Sequence, residues 1–112
     1  MMASIPGEIT VSLNHLMSFK ENVASPTGQD NPDMVRDSLL NYLKTHSKVT
    51  VDLANTKSMS PSFAYVAFGK LYDVFGEAVF RKIDFINDAS DLRKRVDQAL
   101  QRRAAVIQSE NR

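Results

Sequence analysis

The stretch "VTVDLANTKSMSPSFAYVAFGKL", Val49–Leu71, decides the fold because its apolar period changes partway along. Val49, Val51 and Leu53 alternate with Thr50, Asp52 and Ala54, the two-residue repeat of a strand with one buried face. From Phe63 the apolar residues recur at helical spacing, through Ala64, Ala67, Phe68 and Leu71. Between the two lies a turn holding Ser58, Ser60 and Ser62. Ser60 followed by Pro61 reads as a helix start, since a serine oxygen accepts an orphan backbone N–H and proline at the first position sacrifices no bond. The stretch therefore reads strand, serine turn, helix.

The same pattern repeats on either side. Ile9, Val11 and Leu13 alternate with Thr10, Ser12 and Asn14, so residues 1–20 are expected to hold a strand, resumed as a hairpin from Leu16 to Phe19. The segment "NVASPTGQDNPD" has two prolines, a glycine and no apolar period, which predicts a long loop over 21–33. Asp33 is expected to cap a helix running to about His46, with Val35, Leu39, Leu40 and Leu43 on its inner stripe. "KIDFI", Lys82–Ile86, predicts a further strand, and Leu92, Val96, Ala99, Leu100, Ala104 and Ile107 predict a long final helix with Arg103 inside its apolar stripe. Strands alternating with helices call for helices packed on a sheet. With 112 residues and 43% hydrophobic composition, one domain spanning 1–112 is expected.

A helical wheel over 62–76 places Phe63, Ala64, Ala67, Phe68, Leu71, Val74 and Phe75 on the arc facing the sheet. The other arc carries Ser62, Tyr65, Val66, Gly69, Lys70, Tyr72 and Asp73. Tyrosines beside a small glycine suit a protein interface, so Tyr65, Val66, Gly69 and Asp73 are candidate partner-binding residues, together with Asp52 at the strand end. Ser58, Ser60 and Ser62 are candidate modification sites, because a helix N-terminus favours a phosphate's negative charge.

Charge and composition exclude much. The chain has no cysteine, hence no disulfide, thiolate metal site or cysteine nucleophile, which fits a reducing, cytoplasmic setting. "MMASIPGEITVSL" lacks the basic and apolar segments of a secretory leader, and no run approaches the roughly 18–20 apolar residues of a membrane span. His15 and His46 fall in different elements, without metal-ligand spacing, and "SPTGQD" is not a phosphate loop. No catalytic residues, metal or cofactor are therefore expected, and the chain reads as a non-enzyme. Asp52 is read as a carboxylate bonding turn amides. Residues 1–80 carry six Lys/Arg against eight Asp/Glu, whereas 81–112 carry eight against five. Arg93, Lys94, Arg95, Arg102 and Arg103 form a candidate basic patch on the last helix, although Asp91 and Asp97 intervene and so mild an asymmetry disfavours nucleic acid.

Several motifs fall in order: Val49-Thr50-Val51-Asp52, Ser62-Phe63-Ala64, Gly69-Lys70-Leu71, the Gly76 turn with Phe80, and Ile83 to Asn87. In these the chain resembles the STAS-like domains of unknown function, distant relatives of the bacterial anti-sigma factor antagonists, best over residues 47–107. The resemblance implies an α/β fold, a mixed β-sheet with helices packed mainly on one face. It also implies a regulatory module that binds protein partners, such as a GHKL ATPase kinase or a sigma-factor regulator. In the antagonists such a kinase phosphorylates a serine at this helix start and so breaks the complex. Here Pro61 falls near that serine, Ser60 near the preceding acidic position and Ser62 beside it. Ser62 is the first candidate because from the first turn it is expected to point toward the Tyr65, Val66 and Gly69 face. The alternative function is an adaptor or inhibitor acting through the basic last helix on nucleic acid or an acidic protein.

Overall fold

Two strand–helix–strand units share a central strand. The computed structural model describes residues 7–17 and 23–110. The first unit runs β1 (Glu8–Ser12), α1 (Leu13–Leu16), α2 (Pro32–Thr45) and β2 (Lys48–Asp52). The second runs from β2 through α3 (Pro61–Ala67), a 3-10 turn (Gly69–Leu71), α4 (Tyr72–Phe75), a second 3-10 turn (Gly76–Ala78) and α5 (Val79–Lys82) to β3 (Ile83–Ile86). The last element is α6 (Arg93–Glu110).

The α/β class expected from the sequence is present, with the strands in the order β1-β2-β3. Both pairings are parallel, so the described sheet is parallel throughout where mixed pairing was expected. Ile9, Val49 and Ile83 lie side by side in register, as do Val11, Val51 and Phe85, and all belong to or pack against the core. The opposite face carries Glu8, Thr10, Ser12, Lys48, Thr50, Asp52, Asp84 and Ile86, none of them buried. Crossovers of one hand that advance in one direction across a sheet must pass over the same face. Parallel sheets usually bury both faces. Here the polar residues of alternate positions let one face remain open, with Lys48 Nζ bonded to Asp84 Oδ2 at 2.8 Å across it.

One cluster of buried apolar side chains extends from Leu13 to Leu100. Phe63 and Phe68 are its largest fully enclosed members, and Phe68 meets Phe85 edge to face with ring centroids 5.7 Å apart. Removing either Phe63 or Phe68 side chain would cost about 3–5 kcal/mol. Leu92 just before α6, with Val96, Ala99 and Leu100 on it, closes the cluster, and the helix lies across α3, the first 3-10 turn and α4. Asp88 starts α6: its two carboxylate oxygens accept the N–H groups of Leu92 and Arg93 at 2.6 and 2.9 Å.

Three local expectations are corrected. The hairpin expected over Leu16–Phe19 is absent at Leu16, which ends α1, while residues 18 and 19 lie outside the described residues. Ser12 accepts the His15 N–H there at 3.4 Å, and Leu13, Leu16 and Met17 are buried together. Asn31, not Asp33, is the residue before α2, with Pro32 in the first helical position and Asp33 in the first turn. The helix expected from the serine turn to Gly76 breaks after Ala67 into a 3-10 turn. That break rotates the following residues, so Val74 is 53% exposed although the wheel placed it inside. Gly76 does end α4, at a φ of 57° that favours glycine.

Candidate functional site

The serine turn begins at Asp52. Its Oδ1 accepts the Ala54 N–H at 2.9 Å and the Asn87 side-chain amide at 2.8 Å, which ties the end of β2 to the end of β3. This is the turn-bonding carboxylate read from the sequence, and it leaves Asp52 engaged within the chain.

Beyond Asp52 the turn is strapped to the loop at 23–31. Lys57 and Ser58 donate their N–H groups to the Ala24 carbonyl at 2.6 and 3.2 Å, and Ser60 donates to the Pro26 carbonyl at 3.0 Å. The loop is itself pinned at both ends: Val23 N–H donates to Asn14 Oδ1 at 2.7 Å, and Asn31 Nδ2 donates to the Met17 carbonyl at 3.1 Å. In its middle, Asp30 Oδ2 accepts the Thr27 N–H at 2.6 Å and closes a tight turn. A polar, proline-containing segment is ordered here because its carbonyls satisfy amides that the serine turn cannot pair internally.

The three serines have different surroundings. Ser60 Oγ accepts the Phe63 N–H at 3.0 Å, and Pro61 occupies the first position of α3. That is the expected cap, worth about 1 kcal/mol. Ser58 is exposed and engaged through its backbone. Ser62 is exposed, with Oγ 3.2 Å from Ser60 Oγ and 3.0 Å from where a Cβ on Gly28 would sit. Ser62 therefore faces the loop, not the Tyr65, Val66 and Gly69 side.

That side is largely covered by α6. Gly69 is buried, and a Cβ there would meet the Ala99 carbonyl oxygen at 2.9 Å. Arg103 spans the same seam: Nε and Nη2 donate to the two Asp73 carboxylate oxygens at 2.7 and 2.8 Å, and Nη1 donates to Tyr65 Oη at 3.2 Å. The hydrogen bonds from Arg103 hold the Asp73 carboxyl below its ordinary range, and Asp73 with Tyr65 raises the Arg103 value further. Gly69 is thus an internal contact with α6, not part of a free partner surface as the wheel implied, whereas Asp73 stays exposed but is paired with Arg103. Arg103 sits in the apolar stripe of α6 because its fork is satisfied there. Val66 and Tyr65 are half-buried.

The basic patch divides in two. Arg93 contacts Asp84 at 3.5 Å and Asp97 at 3.3 Å, donates to the Phe80 carbonyl at 3.2 Å and stacks on Phe85. Lys94 pairs with Asp91 at 3.5 Å. Arg95 and Arg102 have no acidic partner among the described residues and line a cleft of about 240 Å³ with Pro61, Tyr65, Gln98 and Ala99. The Arg102 guanidinium lies 5.4 Å from the centre of the Tyr65 ring. Spacing along the chain could pair Lys94 with Asp91 and Arg93 with Asp97, but not Arg103 with Asp73 or Arg93 with Asp84, which come from distant elements.

Among the described residues no cluster of three or more His, Cys, Asp or Glu is arranged to hold a metal, and no helix is long and apolar enough to cross a membrane. No curated protein and no solved structure matches the chain significantly. A family profile does match, over residues 33–102, from the first turn of α2 to Arg102 on α6, starting earlier than the resemblance read from motifs. The chain belongs to the family described as STAS-like domain of unknown function (DUF4325).

Proposed function

We propose that the chain is a non-enzymatic regulatory module that binds a protein partner, with the serine turn ahead of α3 as its switch. The partner class is a GHKL-type ATPase kinase or another component of a sigma-factor system. Membership of the STAS-like family supports the regulatory reading. The observation that carries the switch is the position of Ser62, an exposed hydroxyl in the first turn of α3, packed against Gly28 of the strapped loop.

A phosphate on Ser62 adds a charge of about −1.5 to −2 and three acceptor oxygens. Ser62 Oγ lies beside Gly28, so a phosphate there stands next to the Thr27–Asp30 turn and is inferred to displace it. Asp30 in that turn adds like charge. Moving the turn loads the bonds from Lys57, Ser58 and Ser60 to Ala24 and Pro26, so one modification reshapes the whole surface formed by the loop and the serine turn. Ser60 is a weaker candidate because its oxygen caps α3, and Ser58 because it lies outside the helix.

The test is affinity capture from the native cell with wild type, Ser62→Ala and Ser62→Glu as baits, with mass spectrometry of peptides covering Lys57–Lys70. Phosphate on Ser62 and a partner kept by the alanine bait but lost by the glutamate bait are expected. An unmodified segment with identical partners on all three baits contradicts the switch.

A further inference from the structure

We propose that the cleft between α3 and α6 binds an acidic segment of a protein partner, with Arg95 and Arg102 gripping two of its carboxylates. This rests on the protein-binding reading above but not on the serine switch.

The pairing pattern on α6 is the starting point. Arg93, Lys94 and Arg103 each have an acidic partner within the chain, whereas Arg95 and Arg102 have none among the described residues. Both face one cleft, with Gln98 between them on the same side of the helix. Guanidinium groups are planar forks that match carboxylates in two parallel hydrogen bonds.

The walls are fixed before any ligand arrives. Arg102 stacks on Tyr65, and the Tyr65 hydroxyl accepts from Arg103, whose fork is held by Asp73. The close approach of Gly69 to the Ala99 carbonyl sets the distance between the two sides. Arg102 is thereby held toward the cleft before binding, which lowers the ordering cost on that side. Pro61 and Ala99 supply apolar surface beside the charges, as expected for a peptide rather than a bare ion.

Spacing favours an elongated ligand. Residues seven apart on a helix are about 10.5 Å apart along its axis. In an extended segment, acidic residues two or three positions apart span about 7–10 Å.

The probe is a fluorescein-labelled hexapeptide carrying two glutamates three positions apart, titrated at low salt and followed by anisotropy. Baits are wild type, Arg95→Ala, Arg102→Ala and, as a control, Lys94→Ala, each checked for fold by circular dichroism. Saturable binding to wild type and Lys94→Ala is expected, about tenfold weaker in each arginine variant. Absence of saturable binding overturns the proposal, as does equal binding of the glutamine version of the peptide or wild-type affinity in both arginine variants. Displacement by inorganic phosphate at the peptide's own concentration overturns it in favour of a compact anion. Tighter, arginine-dependent binding of a single-stranded oligonucleotide overturns it in favour of nucleic acid. None of these outcomes alters the capture result for Ser62, so the two readings fail separately.

Discussion

Replacing Gly69 by alanine tests whether α6 packs where the structure places it. The new Cβ would stand 2.9 Å from the Ala99 carbonyl oxygen and 3.3 Å from its carbon. Ordinary carbon–oxygen contacts begin at about 3.3 Å, so α6 must withdraw by a few tenths of an ångström or more. The obstacle is backbone and cannot rotate aside. Overpacking of this kind costs about 1–3 kcal/mol. Alanine recovers about 0.5–1 kcal/mol through lower chain entropy than glycine. The net is a loss of up to about 2.5 kcal/mol. With a urea m-value of about 1.5 kcal/mol/M, the unfolding midpoint falls by up to about 1.7 M. Gly69→Val should fall further. Unchanged or raised midpoints in both variants would refute the close approach, and with it the rigid wall assigned to the arginine cleft.

Ser60→Ala should lose about 1 kcal/mol through the missing cap, while Ser62→Ala should stay within about 0.5 kcal/mol of wild type in the same urea titration. The reverse order would assign the capping role to the wrong serine. Arg103 depresses the Asp73 value below 3.8, so the pair's stabilisation is fully present above that value and disappears as pH falls through the lower folded one. The Tm advantage of wild type over Asp73→Asn should therefore be small, given the half-exposed pair, and should close on acidification below about pH 4. A gap that stays constant down to about pH 2 would show that the ionised pair is not its source.

Much of the fold was legible because the informative patterns are local. The Val49, Val51 and Leu53 alternation marked the central strand, and Ser60-Pro61 marked the helix start with the hydrogen bond it implies. The Leu13, Leu16 and Met17 spacing signalled a helical turn after β1, but the preceding alternation through Leu13 obscured it. The break after Ala67 was hidden because a wheel assumes one continuous helix, and glycine there answers a carbonyl thirty residues away in sequence. The site was legible as residue types but not as partnerships. Arg103 looked like a flaw in an apolar stripe until Asp73 and Tyr65 were found beside it, and Ser62 could not be aimed at Gly28 without the path of the loop.

The most direct test of the account is amide hydrogen exchange in wild type and Ser62→Glu. In wild type the Lys57 and Ser60 amides are bonded to Ala24 and Pro26, so they should be protected. If a negative charge at Ser62 displaces the loop, both amides should exchange about tenfold faster or more in the variant while Val49 and Val51 in β2 keep their protection. Identical exchange at Lys57 and Ser60 in the two proteins would contradict the switch.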